Sequence, residues 1–328
     1  MRPGARSLLK VKAVGICGSD PARVMVKGTY SFPTTIGHEF AGEISECGPG
    51  VEGWQPGDRV TIVPLIPCYK CQYCQVGEYT LCDTYSYYGS REDGALADYI
   101  KVKAANLLRL PDNVDYEEGA CTDPSSVALH AIRKGEIQTG DTVAVLGCGP
   151  IGHLTIEWAR ICGAGRIIAV DVEDEKLEIA RAVGADLCIN AKKEDPVRVI
   201  MDYTGGEGVE RVFEMAGNKV TQEQAILITK KLGAAVFCGI SNSELTLSKK
   251  AVDGLLRKEM KVIGSWNSSF AELPVHDWKC SLEFMGRGQI KCKPLISHRF
   301  RLEDAPEVFR RVFHREEFFN KVLFLPEM

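Results

Sequence analysis

Thr142-Val143-Ala144-Val145-Leu146-Gly147-Cys148-Gly149-Pro150-Ile151-Gly152 decides how this chain folds. Its first five residues form a continuous apolar run, the pattern of a strand buried on both faces. Glycines spaced Gly-x-Gly-x-x-Gly follow, and a helical pattern runs on to Cys162. In a strand–loop–helix unit each glycine has a task. Gly147 permits the tight turn, Gly149 lets a pyrophosphate approach the backbone, and Gly152 allows close helix–strand contact. The helix opening at Pro150 and Ile151 offers free N–H groups and a positive dipole end to phosphate. A glycine turn in an α/β sheet with no ligand is the alternative reading of the loop alone. The next strand, Arg166–Asp171, ends in a carboxylate 19 residues beyond Gly152, where it can bind ribose hydroxyls. Val172, Glu173 and Asp174 follow, so no arginine waits for a 2′-phosphate, and NAD is expected rather than NADP.

Outward from this unit the alternation continues. Strands are expected at 187–189, 209–214, 234–240 and 261–264, with helices at 174–183, 195–203 and 219–231. Repeated strand–helix alternation implies a parallel sheet covered on both faces. Upstream the texture differs. Short apolar runs at 8–14, 41–46, 59–64 and 97–102, punctuated by Gly48-Pro49-Gly50 and Pro56-Gly57-Asp58, read as strands of a mostly β domain. A helix-like run covers 117–133. The tail ends in a helix at 303–313 and the apolar run Val322–Leu325, which is expected to return to the first domain.

The chain has 328 residues, enough for two domains with separate cores. Hydrophobic residues at 45% and charged residues at 26% are ordinary for a soluble enzyme. A net charge of −4 and a pI near 6.0 make no electrostatic case for nucleic acid or a membrane surface. No apolar run approaches the roughly 20 residues that span a bilayer, and the start lacks the apolar stretch of a signal peptide. Thirteen cysteines, an odd number, do not suit a secreted disulfide framework. A reducing, cytoplasmic compartment is expected.

Two clusters carry metal chemistry. Cys68-x2-Cys71-x2-Cys74-x7-Cys82 can close a tetrahedral zinc site; an iron–sulfur cluster is the competing reading. The remaining cysteines sit mostly in apolar runs and read as small core residues. Gly37-His38-Glu39 puts imidazole and carboxylate side by side, with Cys17 upstream in Gly15-Ile16-Cys17-Gly18-Ser19-Asp20. Thiolate, imidazole and carboxylate together can hold Zn²⁺ and leave a position open. Taken alone, the same residues also read as a solvated His–Glu pair and a buried cysteine.

Together, the nucleotide loop with Asp171, the four-cysteine lobe and Gly37-His38-Glu39-x2-Gly42-x5-Gly48-x2-Val51 resemble the zinc-containing medium-chain alcohol and polyol dehydrogenases. The likeness runs from about Leu9 almost to the end. Val63-Pro64-Leu65-Ile66-Pro67-Cys68, Tyr88–Gly94, Leu256–Glu259 and Val262–Trp266 resemble its hexitol-phosphate branch, which acts on galactitol 1-phosphate; sorbitol (L-iditol) and threonine dehydrogenases share the zinc and nucleotide motifs. The resemblance implies an α/β architecture: a GroES-like, mostly β catalytic domain over 1–125 and 268–328, carrying the zinc lobe at 66–84, and a doubly wound Rossmann domain over 126–267. It implies two zinc ions per chain, NAD, a polyol or polyol-phosphate substrate, and a homodimer or homotetramer.

By the same resemblance Cys17 and His38 are catalytic-zinc ligands, Ser19 is the hydroxyl that relays the proton, and the third ligand is Glu39 or Asp123. Polyol dehydrogenases usually carry Glu where Asp123 stands, and an N-cap beside Pro124 is an equal reading of this residue. No relay histidine stands near Ala22. Tyr30 and Trp266 are candidates to shape the substrate pocket, and equally core aromatics. Arg91, Arg257 and Lys258 are candidates for a phosphate, and equally solvated charges. His130 and His153 are expected to be packed or exposed on helices. A non-catalytic NAD-binding protein is the reading from another class. The segment before Cys17 is short for the family and Met1–Ser7 look foreign to it, so an unpaired sheet edge and reduced stability or activity are expected.

Overall fold

The computed structural model describes residues 4–241, 243–273 and 276–328. The chain divides into two compact units, Met1–Ser126 with Ser268–Met328, and Val127–Asn267.

The first unit opens with β1 (Arg6–Gly15), followed by β2 (Glu39–Cys47), β3 (Arg59–Ile62), β4 (Leu65–Ile66), β5 (Ser86–Tyr87), β6 (Tyr99–Lys103) and β7 (Leu107–Arg109). Short helices α1 (Asp20–Ala22), α2 (Gln72–Gln75) and α3 (Tyr116–Ala120) lie between or after them, and α4 (Thr122–Gly135) follows α3. The helix-like run thus breaks at Cys121. Alternating burial along β1, with Ser7, Leu9, Val11 and Ala13 inside, shows one strand face on the core.

The second unit is the α/β layer. Strands β8 (Thr142–Leu146), β9 (Arg166–Asp171), β10 (Leu187–Asn190), β11 (Val209–Glu214), β12 (Thr229–Phe237) and β13 (Lys261–Gly264) alternate with α5 (Pro150–Ile161), α6 (Asp174–Ala182), α7 (Pro196–Tyr203), α8 (Lys219–Ile228) and α9 (Lys249–Lys258). Among the described residues these strands make one parallel sheet, ordered β10-β9-β8-β11-β12-β13. The order turns at β8, whose C-terminal end carries the glycine loop, the crevice position where such sheets bind nucleotides. The expected helix 219–231 stops at Ile228. β12 begins at Thr229 and passes through Leu232 at φ 61° before the ladder resumes.

The chain then supplies α10 (Asp277–Gly286), β14 (Ile296–Phe300), α11 (Ala305–His314) and β15 (Lys321–Phe324) to the first unit. Its main sheet runs β14-β15-β1-β2-β3-β7, with β6 also on β1. The apolar tail therefore returns to β1, Val14 facing Phe324. This pairing corrects the expectation of an unpaired N-terminal edge. Arg6 and Ser7 belong to β1, which is covered by β2 on one side and by β6 and then β15 on the other. Met1–Pro3 lie outside the described residues.

Candidate metal centre and cofactor loop

Cys17 follows β1, His38 immediately precedes β2, and Glu39 is the first residue of β2. The antiparallel ladder sets Gly15 opposite Glu39, so the two motifs meet because their strands pair. Ligand atoms of Cys17, His38 and Glu39 all lie within 4.8 Å of one another. His38 and Glu39 are buried and Cys17 is half-buried. Gly15 is required here: a Cβ would stand 2.7 Å from Glu39 Oε2 and 2.8 Å from Lys321 Cε.

Two charged groups with no expected role complete the surroundings. Lys321, at the start of β15 and buried, donates to Glu39 Oε2 and to the Ile16 carbonyl at 3.2 Å. Asp20, also buried, accepts the Cys17 N–H at 3.0 Å through Oδ2 and pairs with Arg23 at 2.8 Å through Oδ1. His38 Nδ1 stands 3.6 Å from Asp20 Oδ1, too far for a hydrogen bond, and has no other partner. Lys321 stands out in the sequence only as a lysine heading an otherwise apolar strand. Asp20 is visible in Gly18-Ser19-Asp20, but nothing in spacing marks it as buried.

Electrostatics follow from this packing. Burial resists protonation of His38, yet Asp20, Cys17 and Asp123 outweigh it and hold the imidazole up at about 9. Burial would raise the Cys17 thiol, but His38 outweighs it and lowers it, with help from the Ser19 hydroxyl. Burial pulls the Lys321 ammonium down to about 8. It pushes the Asp123 carboxyl up to about 6 against the pull of His38. Asp123 lies inside the first turn of α4, one residue past Thr122, so it is not the N-cap; its Oδ1 is buried with no hydrogen-bond partner. A buried carboxylate oxygen and a buried imidazole nitrogen left without partners beside a thiol fit a divalent cation, which wants those donors deprotonated.

Cys68, Cys71, Cys74 and Cys82 form a second cluster with sulfurs within 4.8 Å. N–H groups of Lys70 and Cys71 donate to Cys68 Sγ, and that of Cys68 donates to Cys82 Sγ, each at 3.3 Å. The donors lower the Cys68 thiol to about 6, while burial pushes Cys74 up to about 12. Backbone donors aimed at sulfur suit thiolates on a metal.

In the second unit Gly147 adopts φ 98°, where a Cβ would meet Ala216 at 2.9 Å. A Cβ at Gly152 would collide with the Gly147 carbonyl, whereas one at Gly149 would meet nothing within 4 Å. That open space at Gly149, the N-cap of α5, fits a pyrophosphate cradle, with Pro150 and Ile151 in the first turn. Asp171 Oδ2 accepts the Cys148 N–H at 2.7 Å, and Oδ1 accepts those of Val172 and Glu173. His153 is buried on α5, its Nε2 2.9 Å from the Lys176 carbonyl.

The other candidates separate. Tyr30 is 71% exposed, its ring stacked on Arg91 in the first unit. Trp266 is half-exposed in the second unit. Arg257 is exposed. Lys258 is no phosphate ligand: its ammonium caps the Leu227 and Thr229 carbonyls at 2.8 and 2.7 Å, a helix-end role. No helix among the described residues is long and apolar enough to cross a membrane.

Comparison with known proteins gives matches over most of the chain. Residues 4–112 match the family described as alcohol dehydrogenase GroES-like domain, and 150–287 match that described as zinc-binding dehydrogenase. Galactitol 1-phosphate 5-dehydrogenase of Escherichia coli K12 is 34% identical over 318 residues, 97% of this chain and 92% of that protein. The crystal structure of galactitol-1-phosphate dehydrogenase from Escherichia coli matches with a TM-score of 0.92 at 32% identity, covering 99% of this chain and 94% of that one. Sorbitol dehydrogenase of Bacillus subtilis 168 is 32% identical, covering 97% and 90%. A chain from Sinorhizobium meliloti 1021 solved bound to NADP matches with a TM-score of 0.90 at 31% identity, covering 99% and 94%.

Proposed function

The chain belongs to the zinc-containing medium-chain dehydrogenases, and we propose that it oxidises a hexitol phosphate of the galactitol 1-phosphate kind with NAD. The observation that carries the reading is the convergence of Cys17, His38 and Glu39 within 4.8 Å. When bound, zinc supplies Lewis acidity to the substrate hydroxyl and the nicotinamide supplies the hydride acceptor. Cys17, His38 and Glu39 would hold the metal. Lys321 engages Glu39 through Oε2, which holds the carboxylate turned while Oε1 stays available. Asp123 offers its unpartnered Oδ1 to the hydroxyl hydrogen, and Ser19, beside Cys17, is a second candidate, bearing a hydroxyl, to take the released proton. In a second reading the same bare Oδ1 makes Asp123 the third ligand. Zinc content separates the two: loss in Glu39→Gln supports the first, loss in Asp123→Asn the second.

The four-cysteine lobe would hold a second, structural zinc, so metal analysis is expected to return about two zincs per chain. Asp171, its carboxylate already oriented by three N–H donors, takes the ribose hydroxyls and disfavours the 2′-phosphate of NADP. The substrate reading is supported by the likeness to galactitol-1-phosphate dehydrogenases; the 32% likeness to a sorbitol dehydrogenase keeps unphosphorylated hexitols as the competing class. An NADH- and NADPH-absorbance screen of galactitol 1-phosphate, galactitol, sorbitol and threonine tests it. Turnover of sorbitol or threonine well above the phosphate ester overturns it.

A further inference from the structure

We propose that Arg91 is the anion anchor of the first unit, the residue that grips the phosphate of the substrate; this rests on the hexitol-phosphate reading above. Its guanidinium lies over two tyrosine rings, 4.1 Å from the Tyr30 centroid and 4.3 Å from that of Tyr85. Contact with two rings restrains the guanidinium and leaves its N–H groups as the binding surface. No carboxylate pairs with Arg91 among the described residues. Its acidic neighbours are engaged elsewhere: Glu92 lies 3.7 Å from Arg6, and Asp93 accepts the Thr35 N–H at 2.9 Å. An immobilised, unpaired guanidinium edge matches the two-oxygen geometry of a phosphate.

The backbone ties this group rigidly to the metal centre. Arg91 N–H and Glu92 N–H both donate to the Tyr87 carbonyl, at 2.9 and 3.0 Å, closing a turn over Tyr87. The Tyr87 ring stands edge-on to His38 at 5.5 Å, and the Tyr85 ring stands 6.4 Å from Tyr87. Arg91 is therefore no farther from His38 than these steps laid end to end. The turn is also pressed onto the residue before His38. A Cβ at Gly89 would stand 2.8 Å from the Gly37 carbonyl, and Ala95 N–H donates to that carbonyl at 2.9 Å. Tyr30 N–H reaches the Ser90 carbonyl at 3.4 Å, fastening the other half of the clamp.

The test uses the zinc-loaded protein and its Arg91→Met and Arg91→Lys variants. KM and kcat are measured on galactitol 1-phosphate and on galactitol, with inorganic phosphate binding followed by calorimetry. Arg91→Met is expected to raise KM for the ester about ten- to hundredfold, the size of a lost charge-assisted hydrogen bond. Its kcat is expected to stay within about threefold. Galactitol kinetics change little, phosphate binding is lost, and Arg91→Lys recovers part of the affinity. Equal losses on both substrates mean that the clamp is structural only and overturn the assignment. So does phosphate binding that is absent in the parent or unchanged in Arg91→Met. If the parent binds phosphate through Arg91 yet oxidises neither substrate, the substrate reading fails and the anion site stands.

Discussion

Replacing Lys321 with Met isolates what the buried Glu39–Lys321 pair contributes. Both groups are almost fully buried and in direct contact. Unit charges in contact attract by about 5 kcal/mol at an effective dielectric near 20. Removing one partner of such a pair costs about 3–5 kcal/mol, because the other charge stays buried without compensation. For a unit of this size each kcal/mol lowers the melting point by roughly 2–4 °C, so metal-free Lys321→Met is expected to melt about 10 °C or more below the parent. Zinc should close part of that gap, since a cation beside Glu39 replaces the missing ammonium. Melts with and without chelator, repeated on Glu39→Gln and the double variant, form a cycle. If the pair is coupled as described, the double variant is more stable than the two single losses predict, by about 1–3 kcal/mol. A Lys321→Met protein melting within about 2 °C of the parent without metal, or strict additivity, refutes the reasoning.

Three further outcomes follow from the geometry. His153 is buried, and burial drags it down to about 4 from 6.5; because its folded value lies below its unfolded one, it contributes stability above pH 6.5 that is lost as pH falls toward 4. That amounts to about 3 kcal/mol, and acid melts of His153→Leu should lose this slope. Gly152→Ala drives a Cβ into the Gly147 carbonyl, so the loop must open; NADH binding, read by fluorescence, is expected to fall at least tenfold, and unchanged binding contradicts the cradle. Cys71→Ser removes one sulfur from the lobe, which should cut zinc from about two to about one per chain and speed proteolysis between residues 66 and 84.

What could be read in the chain, and what could not, divides along a physical line. Strands β8 and β9 are buried on both faces along their centres, so their apolar runs are local signals, and Gly147 and Gly152 announce close approaches that a single residue type can satisfy. The end of α8 is different. Ile226-Leu227-Ile228-Thr229 suits helix and strand alike, and the choice is made by the ladder with β11 and by the Lys258 cap from α9. The meeting of Cys17 with His38 and Glu39 was legible because such donor types are few in kind. Lys321 and Asp20 were not, because a buried charge is set by a partner far away in sequence. The N-terminal edge is hidden from the sequence for the same reason: β15 and β6 cover β1 from later in the chain.

The charges around the centre argue for the metal more strongly than any single contact. Cys17, Glu39, Asp123 and Asp20 supply four acidic groups; Lys321 and Arg23 are the basic groups facing them. A divalent ion with neutral His38 balances the set. Without metal the same site must recruit protons, and the two shifts go that way: His38 rises to about 9 and Asp123 to about 6. Zinc and protons therefore compete. At pH 7 zinc binding should release about one proton, chiefly from His38, and near pH 5 about two, as Asp123 joins. Because His38 stays protonated up to about 9 without metal, affinity should climb with pH through that value. Calorimetry in buffers of differing ionisation enthalpy counts the protons directly. Affinity that does not vary between pH 5 and 8 would remove the argument that a metal ion displaces the protons held by His38 and Asp123.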